Sequence, residues 1–275
     1  MAARHRACLL ECAAMSRRAA LVVVAAGTGS RLGAEQHKAL VELGGRPLVE
    51  RTVLRLLAED WLDPVVLVGH ADDLPALKQL AGTWPRTVTV VSGGARRQDS
   101  VASGLFTVMT LPDPPEVVLV HDAARPFPPC DALGQLADAA AAHGAALLAV
   151  PVADTLKQQT DADTDGRAGV TSNGASNGRA EDPAGPADAL VRTTVPRAGL
   201  WAAQTPQAFR RNALLDRLAL AESEGRTVTD EAALFEEQGE VALVRGSSHN
   251  FKITTMDDLR LAEALLPLQQ RESSP

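Results

Sequence analysis

Two basic side chains follow a glycine-rich turn close to the start of the chain. The segment AAGTGSRLG, residues 25–33, contains Arg31, and Lys38 comes seven residues after that arginine. Backbone N–H groups left accessible by glycine, together with two cations, can bind several phosphates and neutralise the charge that develops during phosphoryl or nucleotidyl transfer. The alternative is that both side chains are solvated loop charges, and the remaining loops must decide between the two.

The spacing of these glycines excludes two familiar nucleotide-binding loops. The dinucleotide fingerprint G-x-G-x-x-G needs glycine where this chain has Leu32, and an acidic residue at the end of the second strand, where it has Gly69 and His70. A Walker loop needs Gly-Lys followed by Ser or Thr, which the segment lacks. The pattern therefore argues against both a dehydrogenase and a P-loop enzyme.

A second glycine-rich loop, SGGARRQDSV, covers residues 92–101 after the third predicted strand. Gly93 and Gly94 allow close approach of a ligand to the backbone, and Ser100 lies in the first turn of a predicted helix, whose N-terminus attracts anions. The alternative is an ordinary strand-to-helix turn capped by Asp99.

The segment VHDAARPF, residues 120–127, ends the fourth predicted strand. Asp122 is expected at the carboxyl edge of the sheet, where its carboxylate can bind a ribose hydroxyl, a substrate hydroxyl or Mg²⁺. Arg125 either forms a structural ion pair with Asp122 or reaches a ligand.

Apolar runs that alternate with amphipathic stretches must position these loops. The alternation predicts an α/β fold with a Rossmann-like, mostly parallel sheet, in which ligands bind at the carboxyl ends of the strands. The runs predict buried strands at 20–26, 65–69, 87–91, 117–122 and 146–152, and the stretches predict helices at 48–58, 72–81, 99–109 and 131–143. Further along, the pattern predicts helices at 211–223, at 230–238 and from 256, and short strands near 241–245 and 251–254.

Composition excludes several classes of function. The net charge is −7 and aromatic residues make up 3%, which argues against nucleic-acid binding. No run approaches the roughly 18 apolar residues that span a membrane. Three cysteines cannot build a disulfide framework, so the chain is expected in the reducing cytoplasm, and no cluster of His or Cys along the sequence predicts a protein-held metal.

Two segments of the chain are predicted to lie outside the folded domain. Residues 1–18 are predicted to be a disordered extension. Residues 158–190 are rich in Gly, Ala, Asp, Asn and Ser and are predicted to be a low-complexity insert, because they have almost no apolar side chains to bury. The remainder, 19–270, is interpreted as a single domain.

Seven segments, taken in order, resemble the 2-C-methyl-D-erythritol 4-phosphate cytidylyltransferase family of the non-mevalonate isoprenoid pathway. They are AAGTGSRLG with the following Lys38, GGARRQDSV, VHDAARPF, PVADTLK, TVPRAGLWAAQTPQAF, TDEAALFE and FKITTMDDLRLAE. The resemblance runs from about residue 19 to residue 266 and implies a domain of the nucleotidyltransferase type. It departs from the family beside the lysine, where His37 and Ala39 replace the usual Pro and Gln.

The resemblance also implies the roles of individual residues. Arg31 and Lys38 would stabilise the transition state, and Arg197 and Lys252 would position substrate. The CTP-binding residues would be Ala25, Ala26, Gly27, Gly29, Gly93, Gly94, Ser100 and Asp122. The residues binding the acceptor would be Arg125, Thr155, Thr205 and Thr229.

The implied reaction joins CTP and methylerythritol phosphate and releases pyrophosphate. The resemblance implies Mg²⁺ carried mainly by the CTP phosphates, and a homodimer formed through a β-arm at about residues 152–199. One alternative is a cytidylyltransferase for another polyol phosphate such as ribitol 5-phosphate. Another is a catalytically silent nucleotide-binding or scaffold protein, against which the joint presence of Arg31, Lys38, Asp122 and Lys252 argues.

Overall fold

The computed structural model describes residues 18–27, 37–159 and 190–272. The chain divides into two compact units, residues 1–150 with 203–275 and residues 151–202. The predicted extension at 1–18 lies outside the described residues except for Arg18, and most of the predicted insert at 158–190 lies outside them as well.

The described residues form eleven strands and six α-helices. The strands are β1 (Ala19–Ala25), β2 (Glu42–Leu43), β3 (Arg46–Pro47), β4 (Leu62–Gly69), β5 (Val88–Ser92), β6 (Val117–Asp122), β7 (Ala145–Pro151), β8 (Leu156–Gln159), β9 (Val191–Val195), β10 (Trp201–Arg210) and β11 (Val241–Arg245). The helices are α1 (Leu48–Leu56), α2 (Leu74–Ala81), α3 (Arg97–Met109), α4 (Cys130–His143), α5 (Arg211–Ser223) and α6 (Met256–Glu272).

Seven of the strands form one sheet in the order β11-β7-β10-β6-β1-β4-β5. β1 pairs in parallel with both β4 and β6, β4 pairs in parallel with β5, and β10 is antiparallel to β6. The predicted mostly parallel sheet is therefore confirmed. Because β1, β4, β5 and β6 run the same way, the loops that follow them meet at one edge.

The sheet has apolar side chains on both faces. In β1, Leu21 and Val23 pack into a cluster with residues of α1 and α4, whereas Ala20 and Val22 pack into another with residues of α3 and α5. Burial on both faces explains why the strand reads as an unbroken apolar run and not as an alternating one.

The five predicted apolar strands are confirmed as β1, β4, β5, β6 and β7, but two later predictions are wrong. Residues 251–254 form no strand, since Ile253 makes a backbone hydrogen bond to the Ala124 carbonyl at 2.9 Å and packs into a small core with Phe127. Residues 230–238 contain two short 3-10 turns, Ala232–Leu234 and Glu236–Gln238, in place of one helix.

Gly104 allows α3 to pack close to the sheet. A Cβ at this buried position would overlap Val22 Cγ1 of β1 and lie 3.0 Å from Val68 Cγ2 of β4. The helix that begins at the second glycine-rich loop therefore packs directly on β1 and β4.

We predict that Gly104→Ala lowers the free energy of unfolding by roughly 1–2 kcal/mol. Overpacking costs about 1–3 kcal/mol, and the overlap with Val22 Cγ1 places this position in the upper part of that range. The better helix propensity of alanine offsets about 1 kcal/mol of this cost. The control is Gly82→Ala at the exposed end of α2, where a Cβ would lie 3.5 Å from the nearest atoms. Thermal or urea unfolding measures both variants, and a Gly104→Ala protein as stable as the control would contradict the close contact.

Candidate active site

A cavity of about 340 Å³ lies at the carboxyl ends of β1 and β6. Its wall comes from the turn after β1, the 3-10 turn Lys38–Leu40, the loop that leads into α3, the end of β6 and the segment before α6. The described lining residues are Val24, Ala25, Ala26, Gly27, Lys38, Ala39, Leu48, Gly94, Ala95, Arg96, Arg97, Ser100, Asp122, Ala123, Ala124, Lys252 and Thr254.

The charge of this wall is predominantly positive. Four cations line it, Lys38, Arg96, Arg97 and Lys252, and Asp122 is the single carboxylate among the described lining residues. A protein with a net charge of −7 therefore concentrates basic groups locally at this cavity. Such a wall suits a ligand that carries several negative charges.

Asp122 holds two of these cations by its two oxygens. Lys252 Nζ lies 2.8 Å from Oδ2, and Arg97 Nε donates to Oδ1 at 3.1 Å. The other side of Arg97 pairs with Glu231, which is buried. Burial alone would raise the pKa of Asp122, but Arg97 and Lys252 hold that pKa well below its ordinary value.

Hydrogen bonds to the backbone on both sides of Lys252 fix its segment to the loop after β6. Arg125 Nη1 donates to the Asn250 carbonyl at 2.7 Å, and the Ile253 N–H donates to the Ala124 carbonyl at 2.9 Å. No direct ion pair joins Arg125 to Asp122 among the described contacts, so the first role anticipated from the sequence is not observed. The Arg125 guanidinium holds the backbone that carries Lys252, and its contact with a ligand stays a prediction.

A buried layer behind Asp122 determines the tautomer of His121. His121 Nε2 lies 3.0 Å from the Arg125 carbonyl, which can only accept, so Nε2 carries the proton. In the neutral ring Nδ1 then accepts from the Thr205 hydroxyl at 3.1 Å, and the Thr205 Oγ1 accepts in turn from the Asp122 backbone N–H at 3.0 Å. All partners of this ring suit the neutral form, and burial lowers the pKa of His121 to about 4.

The second glycine-rich loop is closed by its own side chains. Ser100 Oγ accepts from the Gly94 N–H at 3.2 Å, and a Cβ on Gly93 would lie 2.6 Å from both Ala26 Cβ and Ser100 Oγ. The helix cap anticipated at Asp99 is present, because its Oδ2 accepts from the Arg96 N–H at 3.0 Å. The loop is therefore both a capped turn and a wall of the cavity.

The structure brings together eight of the site residues named from the sequence. Those that line the cavity are Ala25, Ala26, Gly27, Lys38, Gly94, Ser100, Asp122 and Lys252. Thr205 and Arg125 form hydrogen bonds with the segments that carry Asp122 and Lys252. Gly93 lies in the second glycine-rich loop where that loop meets Ala26. Arg31 and Gly29 lie outside the described residues.

Three further named residues are also absent from the described lining of this cavity. Thr229 is exposed two residues before Glu231, and Thr155 and Arg197 are exposed in the unit formed by residues 151–202. There the Arg197 guanidinium donates to the Ala153 carbonyl.

Sequence reasoning did not single out Arg96 and Arg97, although it identified their loop. The signal was present as two adjacent arginines in the first turn of a helix that follows a glycine pair. Basic residues at a helix N-terminus oppose the helix dipole, so their presence calls for acidic partners or an anionic ligand. Here Asp99 and Glu222 pair with Arg96, and Asp122 and Glu231 pair with Arg97.

Comparison with known proteins gives a consistent result. A family model described as 2-C-methyl-D-erythritol 4-phosphate cytidylyltransferase matches residues 19–174 and 182–268. The residues left unmatched between these ranges, 175–181, lie within the predicted low-complexity insert. Within the described residues, no helix is long and apolar enough to cross a bilayer.

Individual relatives cover nearly the whole chain. A 2-C-methyl-D-erythritol 4-phosphate cytidylyltransferase from Laribacter hongkongensis is 42% identical over 92% of this chain and 98% of its own length. One from Halalkalibacterium halodurans is 37% identical over 91% and 98%. The crystal structure of 4-diphosphocytidyl-2C-methyl-D-erythritol synthase from Anaerococcus prevotii superimposes with a TM-score of 0.69 at 26% identity, covering 91% of this chain and 99% of that one.

We predict that His121 makes the protein less stable as the pH falls from about 6.5 to about 4. The pKa of His121 is about 4 in the folded protein and about 6.5 in the unfolded chain. Between these pH values the histidine is protonated in the unfolded chain and neutral in the folded protein, so proton binding favours unfolding. Urea unfolding across this range should show wild type losing up to a few kcal/mol more than His121→Gln. His143→Gln, at the exposed end of α4, is the control. Parallel profiles for wild type and His121→Gln would mean that the ring is protonated in the fold.

Proposed function

Because this chain belongs to the 2-C-methyl-D-erythritol 4-phosphate cytidylyltransferase family, we propose that its basic cavity is the site of cytidylyl transfer. The enzyme transfers the cytidylyl group of CTP to 2-C-methyl-D-erythritol 4-phosphate, giving the CDP-linked product and pyrophosphate. The ribitol 5-phosphate alternative is not favoured, since the relatives compared above are named for the methylerythritol substrate. The observation that carries the site proposal is that four cations line the same cavity as the backbone of two glycine-rich loops.

The chemistry needs positive charge more than it needs a base. A phosphate oxygen of the acceptor attacks the α-phosphorus of CTP, a new O–P bond forms, and the bond to the β-phosphate oxygen breaks. The attacking phosphate is already ionised near neutral pH, so no general base is required. Two polyanions must instead be brought together in line while their charge is neutralised.

Lys38 and Arg31 are the residues proposed to stabilise the transition state. Lys38 lies half-buried in the cavity wall, which it shares with the turn after β1, and Arg31 lies between that turn and Lys38 in sequence. Their charge acts most strongly when negative charge grows on the α-phosphoryl oxygens and the departing pyrophosphate. This timing separates them from residues that only bind the ground state.

Lys252 is proposed to bring the acceptor phosphate towards CTP. Its side chain is 40% exposed, and its ammonium group is held by Asp122. In this proposal, Asp122 acts as a positioning residue, because both of its oxygens already face protein cations. An incoming phosphate meets a lysine whose side chain is ordered before substrate arrives, which lowers the entropy lost on binding.

The nucleotide is proposed to lie along the backbone of the two glycine-rich loops. Ala25, Ala26 and Gly27 offer main chain after β1, and Gly94 and Ser100 stand at the start of α3. The small side chains leave room for close approach, and the helix N-terminus favours the triphosphate.

Mg²⁺ fits as an ion carried by the nucleotide phosphates. The single carboxylate among the described lining residues, Asp122, is already engaged by Lys252 and Arg97. Mg²⁺ is commonly held by few protein carboxylates together with substrate phosphates. When bound, it neutralises charge on the leaving pyrophosphate.

We propose that the enzyme works as a homodimer and that the unit formed by residues 151–202 makes the dimer contact. None of its described residues, 151–159 and 190–202, is buried. Its apolar side chains include Val191 at 61%, Leu200 at 36% and Trp201 at 39% exposure. A β-hairpin of β8 and β9 without a core of its own is marginal in water, so a partner surface would stabilise it.

We also propose that the enzyme works in the reducing cytoplasm. The chain has three cysteines, and Cys130 is a half-buried free thiol in α4. Such cysteine usage is typical of proteins from reducing compartments.

We predict that Lys38→Ala and Arg31→Ala lower kcat by about 10²-fold or more and leave KM nearly unchanged. Loss of charge that acts mainly in the transition state reduces the rate of the chemical step. Steady-state assays of pyrophosphate release with CTP and methylerythritol phosphate measure both constants. Lys78→Ala, an exposed cation of α2 outside this cavity, is the matched control. A large rise in KM with kcat intact would identify the two as ground-state binding residues.

A mixed-dimer experiment tests whether Thr155 and Arg197 serve the partner's site. Suppose that the unit formed by residues 151–202 of each subunit contributes to the partner's site. A dimer of one Arg197→Ala subunit and one Lys38→Ala subunit then has one intact site and one site that carries both defects. Random exchange of equal amounts should then recover roughly a quarter of wild-type activity from two nearly inactive proteins. If each arm serves its own subunit, mixing recovers nothing.

A further inference from the structure

Two histidines and an aspartate meet beside Lys38, outside the cavity wall. His37 directly precedes Lys38, and His70 directly follows β4, so the turns after two neighbouring strands bring them together. Their rings lie 4.4 Å apart between centroids. One ligand atom from each of His37, His70 and Asp72 lies within 4.8 Å of the other two. Neither ring nor carboxylate has a part in the proposed transfer reaction.

A second carboxylate fixes how His37 presents its ring. His37 Nδ1 lies 2.9 Å from Oδ2 of Asp73, whose side chain is 9% exposed. A carboxylate only accepts hydrogen bonds, so Nδ1 carries the proton and the lone pair is left on Nε2. This arrangement is the one that metal-binding histidines have in proteins, with the ring nitrogen opposite the metal donating to a carboxylate.

The remaining two groups are accessible and adjustable. The side chains of His70 and Asp72 are 33% and 79% exposed. His70 Nδ1 accepts a long hydrogen bond from the Asp72 backbone N–H at 3.3 Å and lies 3.4 Å from Asp72 Oδ2, so a metal bound by this nitrogen would replace that hydrogen bond. Ligand atoms about 2 Å from a zinc ion lie about 3.3 Å apart across a tetrahedral angle. Small side-chain rotations would therefore bring the three ligand atoms, which lie within 4.8 Å of one another, to the spacing that zinc requires. Rotation of an exposed aspartate disturbs no packing.

We propose that His37, His70 and Asp72 form a binding site for a divalent transition metal of the zinc class, with Asp73 as the supporting carboxylate. Two imidazoles and one carboxylate suit Zn²⁺ and its neighbours, whereas Mg²⁺ prefers oxygen ligands. The site is therefore chemically distinct from the Mg²⁺ carried by the nucleotide. A bound ion ties the backbone next to Lys38 to the turn after β4.

Cobalt provides a direct spectroscopic test. Full-length, untagged protein is titrated with Co²⁺, which gives visible absorption bands when bound by few nitrogen and oxygen ligands, and Zn²⁺ is then added in competition. We expect one Co²⁺ per chain, displaced by Zn²⁺ and unaffected by millimolar Mg²⁺. His70→Ala should weaken binding by at least about a hundredfold, and Asp73→Asn by about tenfold, as for a ligand and its supporting partner.

The matched control is His143→Ala, which removes an exposed histidine at the end of α4 and should bind like wild type. Circular dichroism and thermal unfolding establish that each variant is folded. All variants keep Cys8 and Cys12, so binding by the N-terminal cysteines would persist in the His37→Ala/His70→Ala double variant. Undiminished binding in that variant, or no saturable spectrum in wild type, would overturn the proposal.

Discussion

The site depends on one buried carboxylate that is shared by two cations. Asp122, at the end of a strand, pairs with Arg97 from the start of α3 and with Lys252 from the segment before α6. Burying an isolated carboxylate would be strongly unfavourable; without Asp122, Lys252 would lose its ion pair and Arg97 would keep only its pair with Glu231. The three charges therefore require one another. Their mutual pairing joins three stretches of chain that are far apart in sequence and aims one ammonium group at the cavity.

The parallel sheet provides the frame for this pairing. β1, β4, β5 and β6 end at the same edge, so a glycine-rich turn, a helix N-terminus and Asp122 lie side by side. Hydrogen bonds between uncharged groups then fix the position of the loop after β6, notably those from Thr205 to His121 and from His121 to the Arg125 carbonyl. The reaction needs a fixed arrangement of positive charge, and rigid elements on both sides of the cavity supply it.

The parts predictable from sequence are those with a local pattern. Unbroken apolar runs predicted β1 and β6, and glycine-rich loops after strands predicted the cavity. β10 was not predicted, because Gln204, Thr205 and Gln207 are buried polar residues that interrupt its hydrophobic pattern. The segment at 251–254 misled for the opposite reason, since it alternates like a strand but uses its apolar side chains in a separate small core. Long-range pairing such as that of Asp122 with Lys252 has no local signal.

A double-mutant cycle between Asp122 and Lys252 tests the central claim most directly. If Asp122 acts by positioning Lys252, then Asp122→Asn combined with Lys252→Met should reduce kcat/KM for the acceptor no further than Lys252→Met alone. Both variants keep the side-chain volume, and their folded fraction is measured by urea unfolding. Losses that multiply, so that the double variant falls below the single variant by the full factor of Asp122→Asn, would contradict the account and make Asp122 an independent contact to substrate or metal.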